Sequence, residues 1–250
     1  MSEHCVIDTH QHSGPWPFPG RWGGVEENLR LMKPCGIDKA IISSARAVVQ
    51  DMIGGNAELA ESIAGYPQQL HAYITVNPTC PGLSRRELER YQDNPQFVGV
   101  KIHTAYSGCA MDDPRLDAML HIVEEWGKPL LIHTIGASAV ASLRVLAGKH
   151  PDLPIIMAHA GGDAWRQGIA AAKEHPNLYL DFAKSTPYSG TIARALQELG
   201  STRLVFGTDA TLFDPLYTKA RFDAVEMSPH DRDLIMGGNA MRLFGFAPRS

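Results

Sequence analysis

Eight short apolar, β-branched runs recur along the whole 250-residue chain: CVIDTH (5–10), KAIISS (39–44), LHAYITV (70–76), FVGVKIH (97–103), PLLIHT (129–134), PIIMAHA (154–160), LYLDFA (178–183) and RLVFGTDA (203–210). Each has the length and composition of a buried strand. The intervals between them, such as NAELAESIAGY, RLDAMLHIVEEWG, SAVASLRVLAGKH and TIARALQELG, place apolar residues at helical spacing. GYP, WGKP, KHP and EHP close those helices just before the next run. Glycine accepts the left-handed cap, and proline cannot continue a helix. Strands joined through helices must run parallel, and eight such units in a chain of this length predict a closed (β/α)8 barrel as one domain, residues 1–250. The structural rival is an open doubly wound sheet. No glycine-rich phosphate loop follows the first run, which counts against it.

Composition narrows the function classes by exclusion. A formal net charge of −4, without any long basic run, gives no reason to expect nucleic acid or an anionic membrane surface as partner. No apolar stretch approaches the roughly 20 residues that span a bilayer. The four cysteines, at 5, 35, 80 and 109, form no CxxC pair and suggest neither a zinc knuckle nor a disulfide framework. The start MSEHCVIDTH shows no basic segment followed by an apolar one. These features together predict a soluble, cytoplasmic protein with free thiols.

In a barrel of this kind the site lies where the strands end, and the ionisable residues gather there. The first run ends in DTHQH, with Asp8, His10 and His12. Side chains two apart on a strand leave the same face, so His10 and His12 point together. The fourth run ends in Lys101 and His103, the fifth in His133, the sixth in His159 and the eighth in Asp209. A single histidine at a strand end usually finds a hydrogen-bond partner and nothing more. Five histidines, a lysine and a carboxylate buried together carry a heavy desolvation cost unless a cation sits among them. Imidazole and carboxylate donors suit Zn2+ best, with Mn2+ as the alternative, and three or four protein donors with one open position describe a catalytic site.

DTHQH, VGVKIH, LLIHT, IIMAHAGG, LVFGTDA and the closing GGNAMRLFG, in this order, make the chain resemble the amidohydrolase superfamily from residue 6 to 245. The similarity is to its amidohydrolase 2 branch, which includes aminocarboxymuconate-semialdehyde decarboxylase and related non-oxidative decarboxylases. That resemblance implies one Zn2+ held by His10, His12, His133 and Asp209, with His159 as general acid or base. It leads first to a hydrolase of a small lactone, ester or amide, in which Asp209 deprotonates a metal-bound water and His159 stabilises the oxyanion. Second comes a metal-dependent non-oxidative decarboxylase of an aromatic or unsaturated acid, and third a non-catalytic metal-binding barrel. Lys101 admits two roles: binding substrate, or, carboxylated, bridging two metals.

Further substrate-binding candidates are His103, Arg46, Trp16, Trp22 and Tyr106, with Arg21 as a second arginine able to grip a carboxylate. The aromatic, proline-rich loop SGPWPFPGRWGG (13–24) and the segment STPYSG (185–190) face the same rim in a barrel. The partner is a small molecule, and a homodimer is the commonest assembly for such a chain.

Overall fold

The computed structural model describes residues 5–20, 22–183 and 189–247. Eight strands form one sheet in sequence order: β1 (Ile7–Ser13), β2 (Lys39–Ser44), β3 (Leu70–Thr75), β4 (Phe97–Ile102), β5 (Leu130–Ile135), β6 (Ile155–Gly161), β7 (Leu178–Asp181) and β8 (Leu204–Val205). Every neighbouring pair is parallel, with helices returning the chain between strands. This is the single (β/α)8 barrel that the alternating pattern predicts.

The ends of the sheet meet beyond β8. Thr9 N donates to Phe206 O at 2.9 Å, Asp209 N donates to His10 O at 2.7 Å, and Gln11 bridges Ala210. Two expected boundaries shift here. β1 runs on to Ser13, carrying the whole of DTHQH, whereas the ladder of β8 covers two residues of the eight in RLVFGTDA. The remainder turns away to follow β1, because Gly207–Ala210 contacts the first strand at single points rather than as a continuous ladder.

Local chemistry explains where elements stop. The helix Pro114–Trp126 starts on Asp113, whose carboxylate accepts from Arg115 N, and ends on Gly127 at φ 71°. Two apolar layers hold the barrel together. One lies between strands and helices; the other fills the lower barrel with Ile7, Ile41, Tyr73, Leu131, Ile156 and Val205. Phe244, from the last helix (Asn239–Phe244), plugs that lower end. Burying each such side chain contributes about 1.5–3 kcal/mol relative to exposure. Gly99 of VGVKIH is part of this floor: a Cβ there would come within 2.7 Å of the Tyr73 ring. The space lets Tyr73 lie across the barrel and donate to Thr9 O at 2.7 Å. Above that floor the interior changes from apolar to ionisable. Among the described residues, no helix is long and apolar enough to cross a membrane.

Candidate metal centre

β1 is braced from behind before its histidines face the interior. Asp8 accepts from Gln11 Nε2 at 2.7 Å, from His10 N at 3.1 Å, and from Thr208 through both N and Oγ1. Asn28 then donates to Gln11 Oε1 at 2.9 Å and to His12 O at 3.0 Å. Burial pushes the Asp8 carboxyl up to about 7, against the pull of those hydrogen bonds. The strand register is irregular between Asp8 and Gln11.

Inside the barrel, each histidine is oriented through its Nδ1. His10 Nδ1 lies 2.9 Å from Asp181 Oδ2, an acceptor, so the ring proton sits there and Nε2 keeps its lone pair. His12 Nδ1 lies 2.9 Å from Ser43 Oγ, whose hydroxyl turns toward Gln11 O. His12 Nε2 is left bare in the same way. Burial first, and the Lys101 charge second, hold both rings well below the usual histidine range, hence neutral.

The two bare nitrogens converge on a carboxylate. Asp209 Oδ1 is 3.2 Å from His12 Nε2 and 3.8 Å from His10 Nε2, and the three donor atoms all lie within 4.8 Å of one another. Lys101 Nζ is 3.1 Å from His10 Nε2, and burial brings its ammonium down to about 8. Lys101 Nζ sits against one of the three acceptors, His10 Nε2, and nitrogen–oxygen sets whose second nitrogens are anchored are what divalent metals take. His10, His12 and Asp209 are therefore the residues that could hold one.

His133, the fourth ligand that the resemblance implies, stands one ring away. Its Nδ1 meets His159 Nε2 at 3.1 Å and its face stacks on His103, so it belongs to neither of the two His/carboxylate groupings of the barrel mouth. His159 Nδ1 meets Ala183 O at 3.1 Å, which places the proton on Nδ1 and makes Nε2 an acceptor for His133. Burial keeps the His159 ring near 3, hence uncharged.

Asp181 ties these parts together. Besides His10, its Oδ1 accepts from His159 N and Ala183 N, each at 3.0 Å. Sequence spacing gives no hint of it beyond a lone carboxylate ending the apolar run LYLD. The backbone at the site is unusual as well. His159, Ala160 and Asp209 have φ of 63°, 48° and 64°, and Gly161 and Gly162 continue the left-handed stretch. Non-glycine residues held there cost on the order of 1–3 kcal/mol each, and such positions concentrate at functional sites.

Seven aromatic rings close a belt around the cavity: His10, His12, Trp16, Tyr106, His103, His133 and His159, each in contact with the next and the last with the first, at centroid distances from 3.9 to 5.9 Å. The cavity measures about 280 Å³ and is lined further by Phe18, Ile135, Leu212 and Phe213, none of them a sequence candidate. The structure thus brings Trp16, His103, Tyr106, His133, His159 and Asp209 around one cavity, with Lys101 deeper. It does not bring Arg46 there. That guanidinium lies in a separate depression, paired with Asp51 at 2.7 Å and Glu58 at 3.1 Å. Trp22 packs edge-on against Phe18 and donates to Phe18 O, away from the cavity lining. Arg21 and residues 185–188 of STPYSG lie outside the described residues.

A second set of donors occurs on the outer layer, where Asp117, His121 and His150 also place ligand atoms within 4.8 Å of one another. Here His150 Nδ1 meets Glu124 Oε2 at 3.0 Å and Nε2 meets Asp117 Oδ1 at 3.1 Å, while Lys149 donates to Asp117 Oδ2 at 2.7 Å.

Comparison with known proteins places the chain as a whole. A gamma-resorcylate decarboxylase of Rhodococcus jostii (strain RHA1) is 24% identical over 324 residues of alignment, covering 98% of this chain and 97% of that protein. The structure of 2,6-dihydroxybenzoate decarboxylase complexed with 2,6-dihydroxybenzoate superposes with a TM-score of 0.77 at 20% identity, covering 97% of this chain and 100% of that one. Dihydroxybenzoic acid decarboxylase from Polaromonas sp. JS666, with bound manganese and the inhibitor 2-nitroresorcinol, gives 0.77 at 20% identity, covering 99% and 98%. At that identity the superpositions establish the fold. A family model described as amidohydrolase matches residues 7–246, nearly the whole chain, and the chain belongs to the amidohydrolase family.

Proposed function

We propose that this protein is a metal-dependent, non-oxidative decarboxylase of a hydroxylated aromatic acid. The observation that carries this is the two-faced belt. Its arc of His10 and His12 with the adjacent Asp209 presents nitrogen and oxygen acceptors, with His159 and His133 hydrogen-bonded to each other beside them, and its arc of Trp16 and Tyr106, extended by Phe18, presents flat apolar faces. A planar ring with a carboxylate on one edge matches both arcs at once.

A divalent cation on His10, His12 and Asp209 would supply the positive charge that holds the carboxylate and a neighbouring hydroxyl. The chain's own groups do the rest. Asp209, at the wall of the cavity, takes the hydroxyl proton and delivers it to the ring carbon bearing the carboxylate. The electrons of the C–C bond then restore the aromatic ring as CO2 leaves. His159 and His133, joined through Nε2 and Nδ1, hold a second proton beside that carbon. Trp16 and Tyr106 keep the ring flat and exclude water.

Hydrolysis of a lactone, ester or amide uses the same polar arc, and the ligand pattern by itself ranks it first. Decarboxylation moves ahead because the cavity is walled for a flat ring and because all three curated relatives carry the name gamma-resorcylate decarboxylase. Manganese in a structural neighbour makes Mn2+ as good a candidate as Zn2+.

The test is to load the protein with Mn2+ or Zn2+ and incubate it with 2,6-dihydroxybenzoate, 2-hydroxybenzoate and a lactone. Release of one CO2 and one phenol per acid, lost on chelation and restored by metal, is the expected result. Opening of the lactone with no aromatic acid consumed would return the protein to the hydrolases. Elemental analysis of the same sample should find one metal per chain; two metals, with a 44 Da gain located on Lys101, would replace the single site with a bridged pair.

A further inference from the structure

His103 has no part in the metal cradle, yet it is 8% exposed and forms part of the cavity wall. Its ring is clamped: stacked on His133 with centroids 3.9 Å and planes 15° apart, and packed by Tyr106 at 4.7 Å. Nδ1 is buried with no hydrogen-bond partner, and among the described residues none bonds to Nε2 either. Burial, ahead of the neighbouring charges, keeps the ring neutral. A neutral imidazole has one proton to place, and a buried N–H with no acceptor is the rarer and costlier orphan. The proton therefore belongs on Nε2, which makes that nitrogen a donor waiting for an acceptor.

Its place in the belt says where that acceptor must be. Trp16 and Tyr106 separate His103 from His12 one way around, and His133 and His159 separate it from His10 the other way. His103 faces the cradle across the cavity.

We propose that His103 determines substrate specificity by donating from Nε2 to a second ring oxygen of the aromatic acid, on the far side of the carboxylate from the oxygen held at the cradle. The preferred substrates are then acids with oxygen on both flanks of the carboxylate, over those with one. This rests on the decarboxylase assignment for the class of ligand, though not for the recognition itself. One hydrogen bond in a closed cavity is worth about tenfold in affinity.

The experiment uses the metal-loaded full-length chain and measures dissociation constants for 2,6-dihydroxybenzoate and 2-hydroxybenzoate by calorimetry, alongside kcat and KM. Wild type should bind the dihydroxy acid about tenfold more tightly. His103→Phe, which keeps a flat ring for the stack and removes both nitrogens, should bind the two acids alike by weakening only the dihydroxy acid. His103→Gln, which retains an N–H, should recover part of the preference, and it serves in place of His103→Phe if that variant fails to fold. A preference that persists in His103→Phe, equal weakening of both acids, or a wild type without preference would each overturn the assignment. If the preference appears and is lost on substitution while neither acid releases CO2, the His103 assignment stands and the decarboxylase fails. If CO2 is released and the preference ignores the substitution, the reverse holds.

Discussion

The chain builds the same residue types into two clusters with opposite properties. At the barrel mouth, His10 and His12 spend Nδ1 on Asp181 and Ser43 and turn Nε2 toward Asp209, with Lys101 Nζ against His10 Nε2. On the outer layer, His150 spends both nitrogens, on Glu124 and Asp117, and Lys149 occupies the remaining face of Asp117. Both sets bring donor atoms within 4.8 Å of one another, yet in the outer set His150 and Asp117 are already bonded to each other and to Glu124 and Lys149, and His121 stands exposed. The outer set ties the helix Pro114–Trp126 to the end of the helix Ala137–Lys149. Proximity of donors is therefore a poor guide; what counts is which atoms the neighbours have already claimed.

Substitutions should separate the two clusters sharply. Asp209→Asn is expected to lower turnover by about 10²- to 10⁴-fold, measured as CO2 release by protein shown by circular dichroism to be folded. His150→Ala removes a buried ring from between Glu124 and Asp117, which keeps Lys149, and should cost about 1–3 kcal/mol of stability in urea titration, with turnover per folded molecule unchanged. A loss of turnover in His150→Ala without loss of stability would bring the outer cluster into the chemistry.

Another histidine sharpens the contrast because, among the described residues, it has no hydrogen-bond partner for either nitrogen. His71, at the start of β3 beside Phe246, is held down to about 4 by burial and then by Lys39. The unfolded chain binds its proton near pH 6.5 and the folded chain only near 4. Its contribution is complete above 6.5 and is lost as pH falls toward 4, by about 2 kcal/mol after allowing for partial contact with solvent. The loss should vanish from the urea-midpoint profile of His71→Phe.

Smaller effects follow from residues at one remove. Asp181→Asn frees the His10 ring and should weaken Mn2+ or Zn2+ binding about 10- to 100-fold in calorimetric titration. Arg46→Ala, in its separate depression and already paired twice, should leave KM for any aromatic acid within about twofold; a larger rise would connect that depression to the cavity.

The strands were legible because a buried parallel strand reads as an unbroken apolar run, and the polar residues at strand ends stood out against it. What could not be read depends on side chains meeting across long separations. Asp181 is one carboxylate with no spaced companion, and its role emerges only when β7 lies beside β6. Arg46 looked available because Asp51 and Glu58 reach it only after the chain turns back into the helix Met52–Ile63. His133 sits at the expected strand end, but its ring direction follows from the stack with His103, which no local pattern encodes. RLVFGTDA reads as eight strand residues because composition does not reveal that its second half leaves the ladder to follow β1.

The three residues that would hold a metal come from the two ends of the chain, and the backbone of the same residues closes the barrel: Asp209 N donates to His10 O, and Thr211 N to His12 O. During synthesis, then, the ribosome releases His10 and His12 long before their partner exists. The set His10, His12 and Asp209 is incomplete until the last fifth of the protein has emerged and docked. An ion held by these three residues would load only after that docking, and a fragment ending short of residue 209 should bind no metal at this site however much of its barrel has formed.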